Sequence, residues 1–356
     1  MLHDDPQTRR DFLEHAVAAA LAGRSGMLKP FFAPPTLGSE LDSLTRATGW
    51  LNTVPLTAAE LRGKVVLVQF WTFTCINWLR TLPYVRAWAD KYREAGLIVI
   101  GAHTPEFPFE RSSDNLRRLA RDLNVKYPIA IDNDHSIWDG FRNQYWPALY
   151  LVDGKGQMRY QHFGEGAYSE TERAIQQLLG EAGARQFDHQ LTSPEGRGLE
   201  APADSKNLRT PETYVGYARA ENFASPGGVA VEREKLYTLP RELRLNEWAI
   251  AGGWTVERGA IALNEAGGRI AFKFHARDLQ LVMGPPPAEP PTRFRVSLDG
   301  IPPAAAHGAD VDEQGNGIAK DQRLYQLIRQ PLPIVDRVFQ IEFLDRGVEA
   351  FSFTFG

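Results

Sequence analysis

Hydrophobic and polar positions follow two different rhythms along this chain, and the change falls near residue 225. Before it, Val65-Val-Leu-Val-Gln-Phe-Trp71 is apolar enough to predict a strand buried on both faces. The run stops at Thr72. Leu79, Leu82, Val85, Trp88, Ala89 and Tyr92 then recur at three- and four-residue steps, which predicts a helix with one apolar face. Leu97–His103 repeats the buried-strand pattern, and Leu116, Leu119 and Ala120 stripe a helix that begins at Ser112 or Ser113. A short strand over residues 127–132, a helical turn over 135–141, a strand over 148–153, a hairpin into 158–163 and a helix over 169–180 complete this half. Thr57 and Glu60 have the spacing of a capping box. Strands and helices that alternate and then end in a hairpin predict an α/β sandwich.

Beyond residue 225 the period becomes two. Pieces such as Arg269–Phe274, 279–282, 294–298, 339–343 and 350–355 are strand-sized, with Gly, Asn or Pro between most of them. Helical patterns are almost absent, so this half predicts an all-β sandwich, jelly-roll-like in type. Trp248 and Trp254 are expected in its core or at its ends rather than stacked on a ligand. Residues 184–205, rich in Pro, Gly, Ser, Asp and Glu, read as a linker. The expected organisation is an N-terminal arm over 1–45, a first domain over 46–183, the linker, and a second domain over 206–356.

The 356 residues carry a formal net charge of -4 with no Lys/Arg-rich tract, so no nucleic-acid partner is expected. No stretch has the length of a transmembrane helix. Thr8-Arg9-Arg10-Asp-Phe-Leu13, followed by a mildly apolar segment at 16–23, resembles a twin-arginine export signal. An exported or periplasmic protein is the expectation this supports. An ordinary N-terminal helix of a cytoplasmic protein is the other reading.

Candidate chemistry centres on Cys75, the single cysteine, at a strand-to-helix junction where free N–H groups and the helix dipole favour a thiolate. One cysteine excludes an internal disulfide and any thiolate-rich metal site. It leaves a sulfenic acid or a mixed disulfide as its redox products. Arg80 is placed to help hold a thiolate, and Thr72 and Thr74 to hydrogen-bond near the sulfur. Glu106 follows a central strand, where α/β sites collect. No histidine pair has metal-ligand spacing, so neither metal nor cofactor is expected. Asp132-Asn-Asp134 reads as a turn, and the acidic loop at 310–317 as a hairpin turn in preference to a divalent-ion loop.

With those residues in view, the first domain resembles the thioredoxin fold of redoxins, peroxiredoxin-like proteins and TlpA-like thiol–disulfide oxidoreductases. The whole chain from about residue 45 resembles soluble proteins related to the C-terminal region of DipZ, in which a β-sandwich similar to a carbohydrate-binding module follows. The marks are Trp71-Thr-Phe-Thr-Cys-Ile-Asn77, Gly101-Ala-His-Thr-Pro-Glu-Phe107, Asn143-Gln-Tyr-Trp-Pro147, His162-Phe-Gly-Glu-Gly166, Thr210-Pro-Glu-Thr-Tyr-Val-Gly-Tyr217, Arg323-Leu-Tyr-Gln-Leu327 and Phe353-Thr-Phe-Gly356. The resemblance puts Cys75 on the nucleophilic cysteine, Trp78 on the resolving cysteine, Pro83 on the helix-kinking proline and Pro147 on the cis-proline facing the sulfur. Gln69 falls where thioredoxins keep a buried aspartate, and an amide cannot shuttle a proton near neutral pH. Thr72 matches the threonine of the peroxiredoxin motif, while Val68 replaces its proline.

The resemblance therefore implies an antioxidant or exchange protein with one nucleophilic thiol, Cys75. It would reduce peroxide or exchange with a disulfide, and an external thiol or partner protein would resolve it. Backbone N–H groups at Asn77 and Trp78, with Arg80 and Thr72, would serve the thiol, and Trp146, Pro147 and Glu106 would shape the substrate surface. The alternative is a non-catalytic binding or adaptor protein, with the sandwich recognising a glycan or a protein.

Overall fold

The computed structural model describes residues 39–356. The Arg9-Arg10 pair and the helix expected at the N-terminus lie outside the described residues. The first half is a six-stranded sheet built from β1 (Gly49–Leu51), β2 (Val65–Trp71), β3 (Leu97–His103), β4 (Ile129–Ile131), β5 (Ala148–Val152) and β6 (Met158–Phe163), in the order β1-β4-β3-β2-β5-β6. Strands β2, β3 and β4 run parallel, and β1, β5 and β6 pair antiparallel to their neighbours. All seven residues of β2 are buried, as its unbroken apolar run requires. Alternation sorts them: Val65, Leu67 and Trp71 face one core, and Val66, Val68 and Phe70 face the other. The first core is closed by α1 (Ile76–Lys91), α2 (Ser113–Asp122) and α4 (Tyr168–Glu181), the second by short elements that include α3 (Ser136–Gly140). β1 carries no strand signal in the sequence, because its three residues are only half-buried at the sheet edge. The predicted capping box is present, with Thr57 accepting from the Glu60 N–H and the Thr57 N–H donating to the Glu60 carboxylate at 2.8 Å.

The second half is antiparallel among its named strands: β7 (Thr213–Tyr214), β8 (Glu234–Tyr237), β9 (Trp248–Val256), β10 (Ile261–Leu263), β11 (Arg269–Phe274), β12 (Asp278–Gly284), β13 (Thr292–Leu298), β14 (Asn316–Ala319), β15 (Arg323–Arg329), β16 (Arg337–Phe343) and β17 (Glu349–Phe355). β9 joins the two faces of this sandwich. Its start, Trp248 to Ala251, pairs with β11, and its end pairs with β8 and β10. The strand changes sheets at Gly252, whose φ of +98° belongs to the region that favours glycine. Trp248, Trp254 and Tyr325 are fully buried in the core between these faces.

The two halves share a core. Between Val282 and Met283 the pairing of β12 with β17 slips by one residue, leaving Phe351 as the bulged residue. Phe353 and Phe355 fill the sandwich core, but the bulge aims Phe351 at the first half, against Phe107 (ring centroids 5.2 Å) and Phe109 (5.0 Å). The linker is fastened down as well. Thr192 donates to buried Glu172 and accepts from the Trp88 indole at 3.1 Å, and Glu200 pairs with Arg86 on α1 at 2.6 Å.

Candidate active site around Cys75

Cys75 is the N-cap residue of α1, half-buried, with its carbonyl accepting from the Leu79 N–H at 3.1 Å. The loop from β2 turns sharply here, closed by the Cys75 N–H donating to the Thr72 carbonyl at 3.2 Å. The expected pull of the helix end toward a thiolate meets opposing influences. Loss of hydration pushes the thiol pKa well above its ordinary value, and Glu212 and Glu106 push it the same way. The N–H groups of Trp78 and Asn77 pull it down, as a helix end should, without overcoming burial.

Trp78, at the position of a resolving cysteine, turns inward. It is fully buried and stacks on Trp71 at 4.1 Å. Its indole N–H donates to the Gln69 Oε1 at 3.2 Å, and the Gln69 amide donates to the Thr81 hydroxyl at 2.8 Å, which in turn donates to the Trp78 carbonyl at 2.7 Å. The two departures from the thioredoxin pattern thus form one closed neutral network: a bulky donor where the second thiol would be, and an amide where the acid would be. Pro83 lies inside α1.

Arg80 does not serve the sulfur. Its buried guanidinium donates to Glu165 at 3.0 Å and to Asn77 at 3.4 Å, and the last residue of the chain, Gly356, lies directly against it. Neither threonine hydroxyl bonds the sulfur either. Thr74 donates from both N–H (3.3 Å) and hydroxyl (2.6 Å) to Glu110, whose other oxygen accepts the N–H groups of Glu106 (2.7 Å) and Phe107 (2.8 Å). Glu110 is fully buried, and burial raises its pKa to about 7 against the opposing pull of Thr72, Thr74 and Phe107. Sequence reasoning missed this residue; a glutamate in Phe109-Glu110-Arg111 carries no signal of burial.

Glu106 is the point where the second half reaches the site. Its carboxylate accepts from the Tyr214 hydroxyl at 2.6 Å and from Arg219 at 2.9 Å, and the Arg219 guanidinium lies 3.1 Å above the Tyr214 ring. Pro147 is buried and the Trp146–Pro147 bond is cis. Because Phe70 pairs with Ala148, Pro147 stands beside the end of β2 from which the Cys75 loop departs. The Trp146 indole donates to the Thr104 carbonyl at 3.1 Å and packs on Trp138 at 4.2 Å. His103 closes the floor, fully buried between Trp71 and Phe73, and burial lowers its pKa to about 3.

Among the described residues no three acidic, histidine or cysteine side chains gather as a metal site. The Asp132 carboxylate accepts the Ile137 and Trp138 N–H groups, and Asp310 accepts from Arg323 and the Gln326 N–H, so both acidic segments are consumed in local structure. The sandwich aromatics Trp248, Trp254 and Tyr325 are core residues and offer no ring to a sugar.

A cysteine at a strand-to-helix N-cap and a mixed sheet packed between helices are the features of the thioredoxin-like class. Residues 39–161 match the family model of the AhpC/TSA family, and residues 210–356 match that of the thioredoxin like C-terminal domain. Protein DipZ of Mycobacterium tuberculosis (strain CDC 1551 / Oshkosh) is 39% identical over 241 residues, covering 67% of this chain and 34% of DipZ. The chain thus spans about a third of the length of that relative. Thiol-disulfide oxidoreductase YkuV of Bacillus subtilis (strain 168) is 30% identical over 146 residues, 41% of this chain and 97% of YkuV. A solution structure of a thioredoxin-like protein in the oxidized form is 29% identical and covers 42% of this chain and 94% of its own, with a TM-score of 0.35. The chain belongs to the thioredoxin-like family, as a redoxin related to the C-terminal region of DipZ.

Proposed function

We propose that this chain is a single-thiol exchange protein, in which Cys75 forms a mixed disulfide with a disulfide substrate and an external thiol or partner protein resolves it. The observation that carries this reading is the Trp78–Gln69 network. The attacking position is retained at a helix N-terminus, while the resolving position is filled by a buried indole stacked on Trp71 and bonded to Gln69. In the exchange step the thiolate of Cys75 attacks one sulfur of R–S–S–R′, the Cys75–S–R bond forms, and R′S⁻ leaves. The thiol proton goes to solvent, and a second thiol later displaces Cys75 to give a new disulfide. Peroxide reduction has less support, because Arg80 is held by Glu165 and Val68 stands for the motif proline.

A dipyridyl disulfide tests the reading. One equivalent of chromophoric thiol is expected per chain, none from Cys75→Ser, and no second equivalent without added thiol. A native chain that releases no chromophoric thiol sinks the proposal. The non-catalytic adaptor reading is favoured by one observation, the raised Cys75 pKa, and it expects full biological activity from Cys75→Ser. Export rests on the Arg9-Arg10 motif, and replacing both arginines with lysine is expected to leave the protein inside the cell.

A further inference from the structure

The carboxylate of Glu110, in the turn Pro108–Arg111, ties the thiol loop to the Glu106 loop. Its Oε1 accepts the Thr74 N–H at 3.3 Å and the Thr74 hydroxyl at 2.6 Å. Its Oε2 accepts the N–H groups of Glu106 at 2.7 Å and Phe107 at 2.8 Å. Thr74 is the residue before Cys75, and the turn at this point is closed by the Cys75 N–H on the Thr72 carbonyl. The place of the Thr74 peptide therefore sets where α1 starts and where the sulfur stands. The mount on the other side is firm, because Phe107 and Phe109 pack on Phe351 of the second half. Burying a carboxylate here costs free energy, yet a neutral side chain would not serve both loops. Three of the four donors are backbone N–H groups, which cannot reverse, so each end needs an acceptor. An ionised carboxylate accepts at both ends. An amide or a protonated acid is a good acceptor at one end only.

We propose that Glu110 is a positioning residue for exchange, whose ionised carboxylate holds the Thr74 peptide, and through it Cys75, at a fixed place against the Glu106 loop. This rests on the single-thiol reading and adds to it a residue that acts through Thr74. The exchange step is unchanged. When Glu110 takes up a proton, the Thr74 end yields, because its N–H bond is the longest of the four. The Thr74 hydroxyl reverses to accept, the Thr74 N–H is released, the thiol loop loosens and attack slows. Burial brings the ionisation of Glu110 to about 7, so the change falls where exchange is measured. The titratable and charged groups around it are Glu106 and exposed Arg111 on its own loop, Cys75 on the thiol loop and His103 under Phe73. From the second half they are Tyr214, Arg219 and Glu212. All are the same in a Glu110 variant, so a native-to-variant ratio reports Glu110 alone.

The test is the rate at which methyl methanethiosulfonate, a small neutral reagent, modifies Cys75 in the full chain. The product is the methyl disulfide of Cys75, and methanesulfinate leaves. Native chain and Glu110→Gln are compared from about pH 6 to about pH 8.5, the amide standing in for the protonated acid throughout. The native-to-variant ratio is expected to rise from about twofold to about tenfold, the cost of a slightly displaced nucleophile, with its midpoint near 7. A variant that is only less stable gives a ratio that does not change with pH. A Glu110 that acts only by repelling the thiolate gives a ratio that falls as pH rises. Either result overturns the proposal. The native chain supplies a second test if Glu110→Gln does not fold. Its rate is expected to climb more steeply than about tenfold per pH unit up to about pH 7.5 and at about tenfold above; a climb of tenfold or less throughout overturns the proposal. If the reagent leaves Cys75 unmodified at every pH, the single-thiol reading falls and the role of Glu110 falls with it. Modification with a flat ratio removes only the role of Glu110.

Discussion

Replacing Gln69 with leucine tests whether the neutral network is what stands in for the missing dithiol machinery. The substitution removes the acceptor of the Trp78 indole N–H at 3.2 Å, and that indole is fully buried. An orphaned buried donor costs about 1–3 kcal/mol. Thr81 loses a donor to its oxygen but keeps its own bond to the Trp78 carbonyl, and the Tyr127 hydroxyl loses only a long bond of 3.5 Å, so their share is small. We expect Gln69→Leu to lose about 2 kcal/mol. Trp78→Phe removes the donor and part of the stack on Trp71, and leaves the Gln69 oxygen with only the Tyr127 hydroxyl at 3.5 Å. A loss of about 2–3 kcal/mol follows. In the double variant neither polar atom is left behind, so the two losses must not add. The expected coupling is about 1–2 kcal/mol in urea denaturation followed by circular dichroism. Additivity within about 0.5 kcal/mol would refute the network as a unit.

Three further outcomes follow from the same geometry. Glu110 has a folded-state pKa of about 7, above its unfolded value, so the native state holds the proton more tightly between pH ~4.5 and 7. Stability should therefore fall as pH rises through that window, by roughly 3 kcal/mol from this group, and Glu110→Gln should lack that slope; parallel pH profiles for the two proteins would rule this out. Alkylation of Cys75 by iodoacetamide should climb steadily with pH past the ~8.5 of a free thiol, and a plateau below that value would contradict the raised thiol pKa. Phe351→Ala should lose about 3 kcal/mol, because the ring is enclosed by Phe107 and Phe109; a loss under about 1 kcal/mol would mean that the two halves do not share this contact.

The elements that position the site were legible where packing is local. The run of β2 has to be buried on both faces, and the three- and four-residue spacing of α1 has to face one core, so the strand, the loop and Cys75 could be read directly. What the pattern could not carry was direction. Trp78 reads equally as a wall beside the thiol or a core residue, and only the partner Gln69 on the facing strand decides it. Arg80 and Glu110 look like solvated charges in sequence, yet both are buried because residues far along the chain, Glu165 and Thr74, meet them. Phe351 alternates with Phe353 and Phe355 as though on one face, and a single bulge sends it to the other half. The raised thiol pKa was out of reach for the same reason. It depends on burial and on Glu212, which lies 137 residues from Cys75 in the chain (212 minus 75).

The central claim, one thiol that attacks and needs an outside resolver, is tested most directly by the intact mass of the full chain incubated with a small neutral disulfide at mildly alkaline pH. A single adduct at Cys75 is expected, stable after the free disulfide is removed, lost on adding a monothiol, and absent from Cys75→Ser. A chain whose mass never changes, or an adduct that Cys75→Ser also carries, would contradict the account.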